Sequence, residues 1–307
     1  MNIEPADICF LSIKRYNGLK TTKRGGLIRE ELQLGYTRKE VIQRLTGEVA
    51  KGRVLVGASA GTGFTAQILE ESKVDLIAVY NGGKFQTAGN EMLAALLPFG
   101  DANEIVCSIG YEVMAAVKQT PVVAGVCGTD PFRVMEHYLK RLKEQGFSGV
   151  TNFPTVGLFD GQFRTNLEEA ELGYESEVEM IRKARRLDLF TCPYVFHAKD
   201  AARMALAGAD CLIIHCGLVT QGPIGRQKAL SDSDCIRLLQ EAGNTARAIN
   251  PEIILLAQGG PLNETERLRN VLAASAEVNG YFEASRLERS AVELVIRNQV
   301  SSIKQSK

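Results

Sequence analysis

The chain has 307 residues, 45% of them hydrophobic and 23% charged, and its 36 basic residues balance 36 acidic ones. Those proportions are ordinary for a globular protein, and the balanced charge gives no reason to expect nucleic acid or an anionic membrane as a partner. The length suits one large domain, because single α/β barrels run to roughly 200–250 residues.

The N-terminal stretch MNIEPADICFLSIKRY is too short in its apolar part for a signal peptide. No apolar run approaches the roughly 18–20 residues of a membrane span. Cysteines stand at 9, 107, 127, 192, 211, 216 and 235, an odd number without CxxC pairs and mostly inside apolar runs. Such usage reads as reduced thiols in a cytoplasmic protein. Lys14, Arg15, Lys20, Lys23, Arg24 and Arg29 follow one another with no acid between residues 7 and 29. Residues 1–36 are therefore set apart as a basic arm, either solvated or in contact with a subunit or a polyanion.

An added helix is expected over 37–52, with Thr37 as N-cap and Glu40 as its capping-box partner. From Arg53 onward, apolar β-rich runs alternate with charged amphipathic stretches, the pattern of parallel strands joined by crossover helices. The runs are 54–59, 75–81, 121–128, 148–154, 189–196, 210–217, 252–260 and 278–285. Helical segments follow the second near 87–97 and 103–118. Helix 132–146 follows the third, with Phe132, Met135, Leu139 and Leu142 on one stripe, and a long loop and helix 174–188 follow the fourth. The last stretch, RLERSAVELVIRNQV, closes the chain as a helix. Eight units in roughly 250 residues predict a (β/α)8 TIM barrel with an N-terminal helical extension, spanning 37–307.

Function on such a barrel belongs at the carboxyl ends of the strands. Gly61 and Gly63 in GASAGTG offer amides to an anion or simply turn the chain out of a strand; the GxGxxG dinucleotide pattern is not matched. Asn81, Asn152 and Tyr194 stand at three other strand ends. Gly259 and Gly260, with Ser285 and Arg289 or Arg286, fall after the seventh and eighth strands, where barrels often hold phosphate. In GVCGTDPF, Asp130 and Pro131 suit the start of helix 132–146, and Cys127, Thr129 and Asp130 also converge on one rim position. Cys127 is reactive only if its thiol pKa is depressed; otherwise it is packing. His215 ends the sixth strand as acid, base or ligand, or as a histidine satisfied by backbone groups. No HExxH, EF-hand or DxD motif is present, although Asp101, Asp130 or Glu283 from separate loops would suit Mg2+.

Taken together, GTG at 61–63, YN at 80–81, LLPFGDAN at 96–103, GVCGTDPF at 125–132, GFSGVTNFPTVGLFDGQFR at 146–164, GYESEVEMI at 173–181, PYVF at 193–196 and GYFEASRLER at 280–289 resemble the phosphoenolpyruvate hydrolase-like family. That family is related by fold to the isocitrate lyase and phosphoenolpyruvate mutase enzymes. The resemblance runs from about Thr37 to about Val295 and implies the barrel, a homo-oligomer and a small carboxylate such as phosphoenolpyruvate or phosphonopyruvate as substrate class. The KKCGH loop and acidic metal cluster of the lyase and mutase enzymes have no counterpart, so Cys127 does not correspond to their catalytic cysteine. Three activities are thereby set against one another. The first is hydrolysis of a phosphorylated or phosphonylated oxo-acid, with Asp130 and Asp101 on Mg2+, Gly259, Gly260, Ser285 and Arg289 on phosphate, and His215 or Cys127 moving the proton. The others are carbon–carbon cleavage of a phosphate-free oxo-acid with His215 as base, and ligand binding without catalysis.

Overall fold

The computed structural model describes residues 35–218, 230–284 and 286–305, together with the strands at 19–21 and 27–29. Residues 1–34 and 35–307 are separate compact units. In the first, β1 (Leu19–Thr21) and β2 (Leu27–Arg29) pair antiparallel; the rest of the predicted basic arm lies outside the described residues. Among the described residues, no helix is long and apolar enough to cross a membrane.

The second unit is an α/β fold built on nine parallel strand segments. These are β3 (Leu55–Ser59), β4 (Leu76–Val79), β5 (Val122–Gly125), β6 (Gly149–Thr151), β7 (Phe190–Thr191), β8 (Tyr194–Val195), β9 (Cys211–His215), β10 (Ile254–Gln258) and β11 (Gly280–Glu283). Their order is β7-β6-β5-β4-β3-β11-β10-β9-β8. Each predicted apolar run yields a strand, but 189–196 yields two. Pro193 has no N–H for the ladder, and the chain changes partner there. Cys192 N–H still donates to Val150 of β6, whereas the carbonyl of Pro193 accepts from Ile213 of β9. The two ends of the sheet are thus halves of one run, and the sheet curls until Thr191 and Tyr194 are separated only by residues 192 and 193.

Side chains alternate across this curled sheet, as the period of two requires. Ile77, Val79, Leu212, Ile214, Leu255 and Ala257 pack outward beneath the helices. Leu76, Ala78, Tyr80, Cys211, Ile213, Ile254, Leu256 and Phe282 form a second core inside the curl. Gly57 lies on the inward parity of β3 and leaves room for a ring: a Cβ there would lie 2.4 Å from Cδ2 of Phe282.

The predicted N-terminal helix is present as Arg38–Ala50, with both halves of the Thr37/Glu40 capping box formed. Its Val41 and Leu45 are buried in the inner core beside residues that begin strands, among them Leu55, Leu76 and Ile254. The helix therefore stops the amino-terminal end of the curl. Arg38 anchors it through a two-pronged pair with Asp210, whose carboxylate also accepts from the backbone and hydroxyl of Thr191.

Three other expectations need correction. The helix after β5 is Met135–Gln145 with Val134 as N-cap, so Phe132 is not on its buried stripe and is 96% exposed. The loop 152–173 contains a helix, Gly161–Glu169, with no buried residue and hence no apolar period to reveal it. The segment near 87–97 is a short helix, Gly82–Thr87, followed by a 3-10 turn, Met92–Leu96.

Candidate active site at the carboxyl ends of the strands

The inward parity of each strand decides what the mouth contains. In β9 the inward residues are Cys211 and Ile213, and the next on that parity is His215; in β10, Ile254 and Leu256 lead to Gln258. His215 and Gln258 are register partners. Beneath them, Tyr80, Phe153, Tyr194 and Phe282 form a floor of tilted rings with centroids 4.8–6.5 Å apart. The hydroxyls of Tyr80 and Tyr194 share a buried hydrogen bond of 3.0 Å. Burial raises both phenol pKa values, so both hydroxyls stay protonated.

His215 is 8% exposed and packs against Tyr194 at 5.9 Å and Phe196 at 5.4 Å. Its Nδ1 accepts the N–H of Gly217 at 3.1 Å. Burial lowers its pKa to about 4, so the ring is neutral at pH 7. Because Nδ1 is the acceptor, the proton sits on Nε2, which meets no partner among the described residues. Gly259 allows this packing. Its φ is +76°, and a Cβ would lie 2.5 Å from the carbonyl of Gly217 and 3.3 Å from the His215 ring. Oε1 of Gln258 and Oδ1 of Asn81 are buried acceptors without a partner. The amide of Asn81 is spent on the carbonyl of Ala95.

A second network lies behind this mouth. Asn152 accepts from the N–H of Tyr194 and donates to Glu177, which also accepts from the Thr155 hydroxyl and the Val156 N–H, both at 2.7 Å. Glu177 is fully buried with no cation in contact, and burial outweighs those donors, pushing its pKa up to about 7. The Tyr174 hydroxyl donates to the carbonyl of Tyr194. Sequence reasoning missed Glu177 inside a charged helix. It lies on the buried stripe of Tyr174, Val178 and Ile181, and that spacing is the signal that would have found it.

The GVCGTDPF turn is organised differently. Asp130 accepts from the N–H of Phe132, closing a turn, and from Asn103, instead of capping the helix. Arg133 places Nε on Asp130 at 2.9 Å, Nη1 on Glu104 at 3.0 Å and Nη2 on Asp101 at 2.5 Å. Asp101 is also the N-cap of the Ala102–Ala116 helix. The two acids expected to hold Mg2+ thus converge, but on a guanidinium. Among the described residues no group of three His, Cys, Asp or Glu is arranged to hold a metal. This donor set does not fit Mg2+. Cys127 lies 3.6 Å from the Thr129 hydroxyl, and burial raises its thiol pKa, so it remains a thiol. The six described cysteines are free, and Cys9 lies outside the described residues.

Close packing accounts for two glycines: a Cβ on Gly63 would lie 2.9 Å from the carbonyl of Glu112, and Gly61 lies beneath Gly83. Gly260 opens the short turn Gly260–Asn263. Ser285 lies outside the described residues. Arg289 belongs to the Arg286–Lys304 helix, but its side chain, like that of Arg286, is outside the description.

The sequence profile of the family described as phosphoenolpyruvate hydrolase-like matches residues 40–305. The ToMV susceptible protein tm-1(GCR26) of Solanum lycopersicum is 47% identical over 264 residues, which are 86% of this chain and 35% of that protein. The chain thus spans about a third of that relative's length. Among solved structures, phosphonopyruvate hydrolase in complex with oxalate and Mg2+ is similar at a TM-score of 0.60 and 14% identity, covering 88% of each chain. Phosphoenolpyruvate phosphomutase from Streptomyces platensis subsp. rosaceus is similar at 0.59 and 16%, covering 87% of this chain and 88% of its own. Both likenesses concern the fold.

Proposed function

The chain belongs to the phosphoenolpyruvate hydrolase-like family, and on that footing we propose that it hydrolyses a small phosphorylated or phosphonylated oxo-acid at the carboxyl ends of its strands, with the sheet closed as a (β/α)8 barrel. The supporting observation is the state of His215: neutral, held by Gly217, and presenting only an N–H from Nε2 over an apolar aromatic floor. Such a group is a fixed donor for an oxygen on which negative charge develops. When the C–P bond of a phosphonopyruvate-like acid breaks, its electron pair passes into an enolate, the phosphoryl group passes to water, and the enolate takes a proton to become the keto-acid. His215 Nε2–H stabilises the enolate oxygen in that sequence.

The Gln258 and Asn81 carbonyl oxygens, buried and without partners, would accept from a protonated or hydrated part of the ligand. Phosphate capture falls to the backbone at Gly259 and Gly260 with Ser285 and Arg289. A base role for His215 is poorly served, because Nδ1 is engaged and Nε2 already carries the proton. Asp130 and Thr129 shape the rim, and Cys127 fills it. A homo-oligomer belongs to the same reading: Val295, Ile296, Val300 and Ile303 leave apolar side chains exposed along the last helix.

The test is product analysis with phosphonopyruvate and phosphoenolpyruvate. Pyruvate and inorganic phosphate are expected in equal amounts, and His215→Ala should lower kcat by about 10²-fold. Activity should be level between about pH 5.5 and 6.5, where the His215 ring is neutral and Glu177 keeps its proton. Cleavage of a phosphate-free oxo-acid instead would assign the donor to lyase chemistry. Ligand binding without turnover on either class would sink the enzymatic reading.

A further inference from the structure

A cavity of about 490 Å3 opens between the Gly161–Glu169 helix and the start of the Ala198–Leu206 helix, lined by Arg164, Glu168, His197, Lys199, Asp200 and Arg203. Asp200 is 2% exposed, yet its carboxylate is poorly satisfied. Oδ2 accepts only a long bond of 3.4 Å from the Phe196 N–H and faces Nδ1 of His197 at 3.3 Å. That nitrogen also accepts from the Asp200 N–H at 3.2 Å. Oδ1 has no hydrogen-bond partner among the described residues. Burial raises the Asp200 pKa, while His197, Arg164 and Arg203 pull it back.

Opposite this acceptor stand cationic donors with capacity left. The guanidinium groups of Arg164 and Arg203 lie over the Tyr174 ring, 5.6 and 5.4 Å from its centroid. Arg164 uses Nε on Glu168 and Nη1 on the Val156 carbonyl; Arg203 uses Nη2 on Glu175. Nη2 of Arg164, Nε and Nη1 of Arg203, and the Lys199 ammonium have no acceptor among the described residues. Glu168 and Glu175 each occupy one edge of a guanidinium, and the donors left on Arg164, Arg203 and Lys199 suit an anion, while Asp200 offers an acceptor to a hydroxyl.

We propose that this cavity is a second ligand site, separate from the His215 mouth, for a small organic phosphate bearing a free hydroxyl. The phosphate meets Arg164, Lys199 and Arg203, and the hydroxyl donates to Asp200. Phe196 is the wall between the two sites. It precedes His197, lies against His215, and fits there because Gly157 has no side chain, where a Cβ would be 2.0 Å from its ring. Tyr174, beneath both arginines, bonds the backbone of Tyr194 in the mouth.

Calorimetric titration of the full chain with glycerol 3-phosphate tests this, with inorganic phosphate and alanine as companion probes. Glycerol 3-phosphate should bind about tenfold more tightly than inorganic phosphate, and alanine more weakly than either. Lys199→Glu, a change at an exposed position that the fold tolerates, should weaken it about tenfold, as should Asp200→Asn. His215→Ala should leave it unchanged. The proposal is overturned by no saturable binding up to about 10 mM, by binding that Lys199→Glu leaves intact, or by a signal lost in His215→Ala.

Discussion

Glu177 offers the most direct physical test of the site's interior. In the unfolded chain its carboxyl gives up its proton near 4.5, whereas in the folded protein burial holds the proton until about pH 7. Between those values folding takes up a proton, so raising the pH opposes folding by about 1.4 kcal/mol per pH unit. The stability that Glu177 contributes is complete below pH 4.5 and is lost as pH rises through about 7, a loss of about 3 kcal/mol. Glu177→Gln keeps the shape and cannot ionise. Its amide will meet the Asn152 and Thr155 donors less well, which shifts the variant by a constant amount at every pH. Urea unfolding of both proteins at pH 4.5, 5.5, 6.5 and 8 isolates the effect, because every other titrating group is common to the pair. The wild type should lose about 3 kcal/mol relative to the variant across that range, and level off above pH 8. Parallel curves would refute the argument. A wild type that gains stability with pH would show that the Asn152, Thr155 and Val156 donors outweigh burial.

Arg133→Ala should expose Asp101 and Asp130 to a cation, with Glu104 still paired to Arg141: Mn2+ is expected to show no bound signal by electron paramagnetic resonance in the wild type and a bound signal in the variant, at a stability cost of about 2 kcal/mol. A bound Mn2+ signal in the wild type that Asp130→Asn removes would contradict the account of this turn. Light scattering should find a homo-oligomer, and Ile296→Glu with Val300→Glu should release the monomer by placing charges in an apolar contact; an unaltered mass in the double variant would place the contact elsewhere.

The strands were legible because nearly all of their residues are buried and each reads as an apolar run. The alternation that sorts His215 and Gln258 inward was present too, as steps of two from Ile213 and Leu256. Pro193 was visible, but its effect depended on which strands flank it, a tertiary fact. Asp-Pro chemistry suits either a helix cap or a rim position for Asp130, and the neighbouring Arg133, with three carboxylates within reach, takes the turn away from the cap. The Gly161–Glu169 helix gave no signal because nothing in it is buried. Glu177 was passed over since a charge among charges looks solvated, although its neighbours three and four residues away are core. The cavity over Tyr174 joins side chains separated by up to 39 residues, Arg164 to Arg203, and no local pattern announces it.

The helix that stops the amino-terminal end of the curl bears on traffic through the protein. With Val41 and Leu45 packed against the first residues of the strands and Arg38 tied to Asp210, the interior is a cup instead of a tube. Among the described residues, that end of the curl is closed to a ligand of His215. On the proposed reaction, a product held over the aromatic floor stands in the path of the next substrate, so product release and substrate entry compete at the mouth.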